Sequence, residues 1–290
     1  MSFSIELAGR SVVVELPDRP RSNTDGLELM TCNIDAKFDR KLREHTWGFR
    51  AIENLWYVNI LRFEVRETSA LSAADIRAEW NRLRDPLLAI LDRVRMWLSA
   101  WTGQSIRARG SYDRPQVLID QPDSSGVIHV DLRGTPILQG GVTGASRSEV
   151  EAAFRYANEG NELPVEHQLI AYAIDANGDA SYRRAIIDAA SAAEVALAQA
   201  LTKLLTSKGV PSELCAITIK NANGIAELAK MYQSASGVDL PVSPSRIMNE
   251  VASIRNSAAH SGYIPTSEET SRAIGHARKL LADLSPLPRP

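Results

Sequence analysis

Residues 182–209, YRRAIIDAASAAEVALAQALTKLLTSKG, decide the fold class. The run holds no proline, its only glycine is its last residue, and alanine and leucine, strong helix formers, dominate it. Ile187, Ala190, Leu197, Leu201 and Leu204 recur at helical spacing and mark the stripe expected to be buried. A helix of this length needs neighbours to cover that stripe, and the surrounding sequence supplies them. SEVEAAFRYAN and EHQLIAYAIDAN precede it; AITIKNANGIAELAKMYQSA, PSRIMNEVASIRNSAAH and SEETSRAIGHARKLLADL follow it. Short loops between amphipathic runs predict an all-α bundle over residues 148–285.

One residue interrupts the stripe. Glu194 stands where an apolar side chain is expected, and a buried carboxylate needs a partner. Arg255 is one candidate, Arg183 and Arg184 are others, and the pairing is as consistent with fixing helix register as with supporting a site.

The first half reads differently. SFSIEL, SVVVEL, LELMTCNI and WYVNILRFEV are rich in β-branched and aromatic residues and are separated by turn signals such as DRPRSNTDG, which predicts four strands in one sheet. Ser72 and Asp75 open a capping box, and Ile76, Trp80, Leu83, Leu87, Leu91, Val94, Leu98 and Trp101 then trace a long amphipathic helix with a possible kink at Pro86. QVLID and GVIHVDL read as two further strands. In GTPILQGGVTGAS the periodicity is lost, which sets the boundary. The fold class is therefore α+β: a mixed β-sheet domain with a long helix over residues 1–140, then the helical bundle.

Composition narrows the function classes. The 290 residues carry 33 Lys and Arg against 35 Asp and Glu, for a net charge of -2, and 44% of them are hydrophobic. A chain without a basic excess is a poor non-specific coat for DNA, but it can meet a nucleic acid at one local cleft. Cys32 and Cys215 lie far apart with no CxxC spacing, so two buried thiols are expected rather than a disulfide framework or a zinc site. MSFSIELAGR has no leader-like apolar run, and PLLAILDRVRMWLSAW, read as the most hydrophobic helix, is interrupted by Asp92, Arg93 and Arg95. A cytoplasmic protein, away from the membrane, is expected.

Chemistry concentrates in IRNSAAHSGY, residues 254–263. Ser243 and Pro244 start its helix and Gly262 with Pro265 stop it, so it is predicted to span about residues 244–261. At about 100° per residue, Ile247, Val251, Ile254 and Ala258 form an apolar stripe, while Asn249, Ser253, Asn256 and His260 gather on the opposite side. Arg255 lies about 140° from His260, so the two converge only on a shared ligand or across a second copy of the helix. The small run Ser257, Ala258, Ala259 fits a dimer seam. A guanidinium offers a planar fork of donors to phosphate oxygens, and an imidazole takes or gives a proton near neutrality, with no metal required. A solvated helix face with a snorkelling arginine has the same pattern, and that reading stays open. Elsewhere the sequence holds no P-loop, GxSxG or metal-ligand spacing.

Arg255 and His260, with four residues between them and Asn256 directly after the arginine, resemble the R-x4-6-H signature of HEPN domains. The SYRRAIIDAASAAEVALAQAL helix, preceded by PVEHQLIAYAIDANGDA, is similar to the helices that come before that signature in the Apea-like branch. The resemblance covers residues 148–285. It implies an all-helical bundle acting as a metal-independent endoribonuclease in prokaryotic defence or toxin systems, without a cofactor. Arg255 would hold the scissile phosphate, His260 would serve as general base or acid in attack of the ribose 2′-hydroxyl, and Asn256 would orient the site. The products implied are a 2′,3′-cyclic phosphate and a 5′-hydroxyl. Relatives with a tyrosine two residues past the histidine have no counterpart here, since that place is Gly262 and Tyr263 comes one later. Implied partners are RNA, a second copy in a homodimer, and an antitoxin or regulatory protein. The alternatives are a HEPN module that binds RNA or a protein without cutting, and a helical adaptor whose motif only packs a dimer.

Overall fold

The computed structural model describes residues 2–7, 10–15, 49–52, 55–58, 60–66, 73–108, 116–119, 127–133, 136–139 and 145–290. The chain divides into two compact units: Met1–Leu98 with Gln104–Glu162 and Pro290, and Ser99–Gly103 with Leu163–Arg289.

In the first unit the described elements are β1 (Ser2–Leu7), β2 (Arg10–Glu15), β3 (Phe49–Ile52), β4 (Leu55–Val58), β5 (Ile60–Arg66), α1 (Ala73–Thr102), β6 (Ser105–Ala108), β7 (Gln116–Ile119), β8 (Val127–Arg133), β9 (Pro136–Gln139) and α2 (Arg147–Asn158). The strands pair antiparallel in two sets, ordered β1-β2-β5-β8-β7 and β3-β4-β9-β6. Two expectations are corrected here. WYVNILRFEV is not one strand: β4 and β5 share it and pair in different sets, with Tyr57 opposite Ile137 and Val65 opposite Val12. GTPILQ, read as irregular, holds β9, which bridges β4 and β6. LELMTCNI, Cys32 and the Ser72 cap lie outside the described residues, and so does most of the chain that would join these strands into the single sheet domain expected over residues 1–140.

Helix α1 runs through Pro86 as one element of 30 residues. Leu83, Leu87, Val94 and Leu98 of its predicted stripe are buried, joined by Ile90 and Trp97. The Trp97 ring stacks on Tyr156 of α2 with centroids 4.8 Å apart, and its Nε1–H donates to the Asn161 carbonyl at 3.2 Å. Helix α2, which the sequence pattern joins to the bundle, clusters with this first unit.

The second unit is a helical bundle. It contains α3 (Val165–Gly178), α4 (Tyr182–Ser207), α5 (Ser212–Asn221), α6 (Ile225–Ser236), α7 (Pro244–Ile247), a π-helical turn (Met248–Ala252), α8 (Ser253–His260) and α9 (Ser267–Leu284), together with the end of α1. Helix α4 is its axis and packs against α3, α5, α6, α8 and α9. Seven buried alanines, Ala185, Ala189, Ala190, Ala192, Ala193, Ala196 and Ala200, lie along it among Ile186, Leu197 and Leu201. Short side chains let several helices approach one backbone at once, so the buried surface is wider than the single predicted stripe, and Ile187 and Leu204 of that stripe are half-buried. Among the described residues α4 is also the one helix long and apolar enough to cross a membrane, a property expected of α1 if of any; more than half of its most apolar stretch is buried inside the bundle. AITIKNANGIAELAKMYQSA divides: α5 ends at Asn221, where Ala222 turns extended, and Gly224, at φ 86°, precedes the start of α6. Cys215 is a buried free thiol.

Candidate functional site

The helix that carries Arg255 and His260 begins as predicted. The Ser243 hydroxyl accepts from the Arg246 backbone N–H at 3.4 Å, with Pro244 in the first turn. It ends at His260, and Gly262 turns the chain away at φ 68°. In between, Met248–Ala252 forms a π-helical turn. That turn inserts a residue into the helical count, so Asn249 does not share a continuous stripe with Ser253, Asn256 and His260. Turns of this kind concentrate at functional sites. Ile247, Val251 and Ala258 are buried and Ile254 is half-buried, as the apolar stripe predicts.

Within α8 the three motif residues keep their predicted angular relation. Asn256 and His260 are exposed, one turn apart on one face. Arg255 is half-buried, and its Nη1 donates to the Asn256 Oδ1 at 3.0 Å. Asn256 therefore holds the guanidinium toward its own side of the helix, which narrows the angular gap to His260. Arg183 of α4 reaches the same end: its Nη2 donates to the Ala259 carbonyl at 3.4 Å. Helix ends leave such carbonyls unpaired, and a cation there is favourable. The result is one guanidinium, that of Arg183, and one imidazole at the final turn of α8, with Arg255 more than a turn earlier on the same helix.

Glu194 does not join them. It is half-buried rather than buried, which eases the need for the ion pair that full burial would impose. Its three candidate partners are engaged elsewhere: Arg255 on Asn256, Arg183 on Ala259, and Arg184, whose Nε lies 3.4 Å from the Asp188 carboxylate. Burial pushes the Asp188 carboxyl up, against the opposing pull of Arg184. The proposed small-residue seam is also partly used up: Ala258 is fully buried within the unit, where α8 packs on α4, and only Ser257 and Ala259 remain half-exposed.

The sequence pattern missed a second polar cluster beside the motif. Glu250, inside the π-helical turn, accepts from His276 Nε2 of α9 at 2.8 Å, and Arg272 Nε lies 3.9 Å from the same oxygen. The His276 hydrogen bond, with the charges of His276, Arg272 and Arg246, holds the Glu250 carboxyl below the usual range. The available signal was His276 itself, a titratable residue on the apolar stripe of α9 among Ala273, Ala277 and Leu280. Among the described residues no group of three or more His, Cys, Asp or Glu side chains is placed to hold a metal ion.

No protein-family model, curated protein or solved structure matches this chain.

Proposed function

We propose that this protein is a metal-independent endoribonuclease of HEPN type. The observation that carries the reading is that α8 presents Arg255, held by Asn256, and ends at His260, where Arg183 of the packed helix α4 donates to the neighbouring Ala259 carbonyl. Two planar cations suit the non-bridging oxygens of a phosphodiester, and an exposed imidazole beside them is free to move a proton. In this reading the His260 imidazole takes the proton of the ribose 2′-hydroxyl, and the 2′-oxygen attacks phosphorus. The bond from phosphorus to the 5′-oxygen breaks, and the departing oxygen takes up a proton to become a 5′-hydroxyl, leaving a 2′,3′-cyclic phosphate. Arg255, oriented by Asn256, offsets the charge that builds on the phosphorane oxygens.

A cytoplasmic role in prokaryotic defence or as a toxin, a homodimer and an antitoxin or regulatory partner belong to the same proposal, as does an N-terminal mixed β-sheet module over residues 1–140 that selects substrate or senses a signal. One observation favours the second reading, a HEPN module that binds RNA or a protein without cutting: among the described residues no carboxylate orients the His260 ring, and the Glu194 expected nearby has no ion-pair partner.

The test is incubation of the purified protein with an RNA pool in EDTA. Wild type is expected to cut, leaving 2′,3′-cyclic phosphate ends. His260→Ala is expected to lose about 10²- to 10⁴-fold in rate, and Arg255→Ala a comparable factor. Cleavage that needs added metal, or that survives both substitutions, rules the nuclease out.

A further inference from the structure

The loop that leaves His260, SGYIPT at residues 261–266, holds an aromatic ring in a fixed and exposed position. Three constraints fix it. The Tyr263 backbone N–H donates to the Ser257 carbonyl at 3.3 Å, tying the residue to the last turn of α8. Its hydroxyl donates to the Glu269 carboxylate, 3.0 and 2.9 Å from the two oxygens. Glu269 is itself locked by the capping box of α9, accepting from the Thr266 N–H at 2.8 Å and the Thr266 hydroxyl at 3.0 Å. Pro265, two residues on, is buried and anchors the loop from below. Yet 40% of Tyr263 is exposed, and the adjacent Ile264 is 73% exposed.

An aromatic side chain tethered at both ends and still facing water presents a rigid apolar surface at low entropic cost to whatever docks on it. Tyr263 stands three residues from His260, no more than about 11 Å along the chain, and its backbone is pinned beside the same helical turn. The Glu269 carboxylate raises the phenol above its ordinary range, so the hydroxyl stays protonated and its service is not proton transfer. What remains is the ring. We propose that Tyr263 is a stacking platform for an unpaired nucleobase next to the phosphate held at Arg255 and His260, with Ile264 as its apolar rim. Single-stranded nucleic acids are commonly gripped this way, by an aromatic face beside cationic backbone contacts. The substrate class that follows is RNA with unstacked bases, in loops or single strands, rather than duplex.

This inference rests on the nuclease reading, and its experiment separates the two. A fluorescein-labelled single-stranded 2′-O-methyl oligoadenylate cannot be cut by 2′-hydroxyl attack and reports binding alone by anisotropy. Tyr263→Leu is expected to weaken it about tenfold, the loss of one stacked base, while Tyr263→Phe and Tyr263→Trp, which keep an aromatic face, stay within about twofold of wild type. Tyr263→Phe loses the same bond to Glu269 as Tyr263→Leu, so equal weakening in both shows that the loop tether matters and overturns the stacking role, as does an unchanged Tyr263→Leu. In parallel, RNA cleavage by the same proteins is followed: Tyr263→Leu is expected to raise KM with kcat little changed. Wild type that binds the oligonucleotide through Tyr263 but cuts no RNA sinks the nuclease and leaves the platform. Wild type that cuts RNA with KM unaltered by Tyr263→Leu does the reverse.

Discussion

Glu166 and His167 are sequence neighbours, both buried at the start of α3, and both hold the chain that follows α9. Glu166 accepts from the Ser285 hydroxyl at 2.6 Å and from the Gln199 amide at 3.3 Å, and the His167 Nε2–H donates to the Ser285 carbonyl at 2.7 Å. Fully paired, such a group of buried polar atoms holds the C-terminal segment in one place. Burial lowers the His167 pKa from its ordinary 6.5, with the Ser285 carbonyl and the Glu166 charge pulling the other way. The sign follows from linkage: the unfolded chain binds a proton more readily than the folded one, so unfolding takes up a proton between the two pKa values. The contribution is complete above pH 6.5 and is lost as pH falls toward the folded value. The melting temperature is therefore expected to drop between pH 7.5 and 5.5 by a few degrees, the scale of about 1 kcal/mol in a protein of this size. His167→Gln keeps a donor for the Ser285 carbonyl and removes the titration. A calorimetric series in which that variant retains the full wild-type slope would assign the effect to another group.

At the scale of the element, α4 shows why a small residue can matter as much as a large one. Ala189, Ala192 and Ala193 have no exposed surface, because α3, α6, α8 and α9 close on them. Ala193→Leu adds three carbons where no space exists and is expected to cost about 1–3 kcal/mol, read as a lower denaturation midpoint with the helix signal retained. An unchanged midpoint would mean the bundle is looser around α4 than its burial indicates. The same helices mark what the sequence made legible. Helix α9 spans the run SEETSRAIGHARKLLADL, and α4 spans nearly the whole quoted run, because apolar periodicity is a local signal. The π-helical turn was invisible, since no glycine or proline marks it and the spacing of Ile247, Val251, Ile254 and Ala258 also fits an unbroken helix. The break at Gly224 falls inside a run read as one helix, although Asn223–Gly224 is a turn dipeptide. In the candidate site, the Arg255 and His260 spacing could be read directly. The hold of Arg183 on Ala259 could not, because it joins residues 76 positions apart, and the state of Glu194 depended on how far α4 is covered.

At the scale of the whole molecule, charge sets how RNA would be held. With 33 basic and 35 acidic residues the chain has no surplus cation to spread along a phosphate backbone. The cationic contacts argued for the site are few, Arg255 and Arg183, and both already use one donor inside the protein, on Asn256 and on Ala259. Binding of a single strand through two phosphate contacts gives a log–log salt dependence with slope of about −1.4. Affinity is thus expected to fall only about sevenfold between 50 and 200 mM salt, and the remainder of the binding free energy has to come from uncharged contacts such as a stacked base. Titration of the 2′-O-methyl oligonucleotide at several potassium chloride concentrations measures this slope. A value steeper than about −3 would require more than four neutralised phosphates, and the RNA would then be following a basic surface elsewhere on the chain. A slope near −1.4 that flattens further in Arg183→Ala would assign one of the two contacts to α4, outside the Arg255–His260 motif of α8.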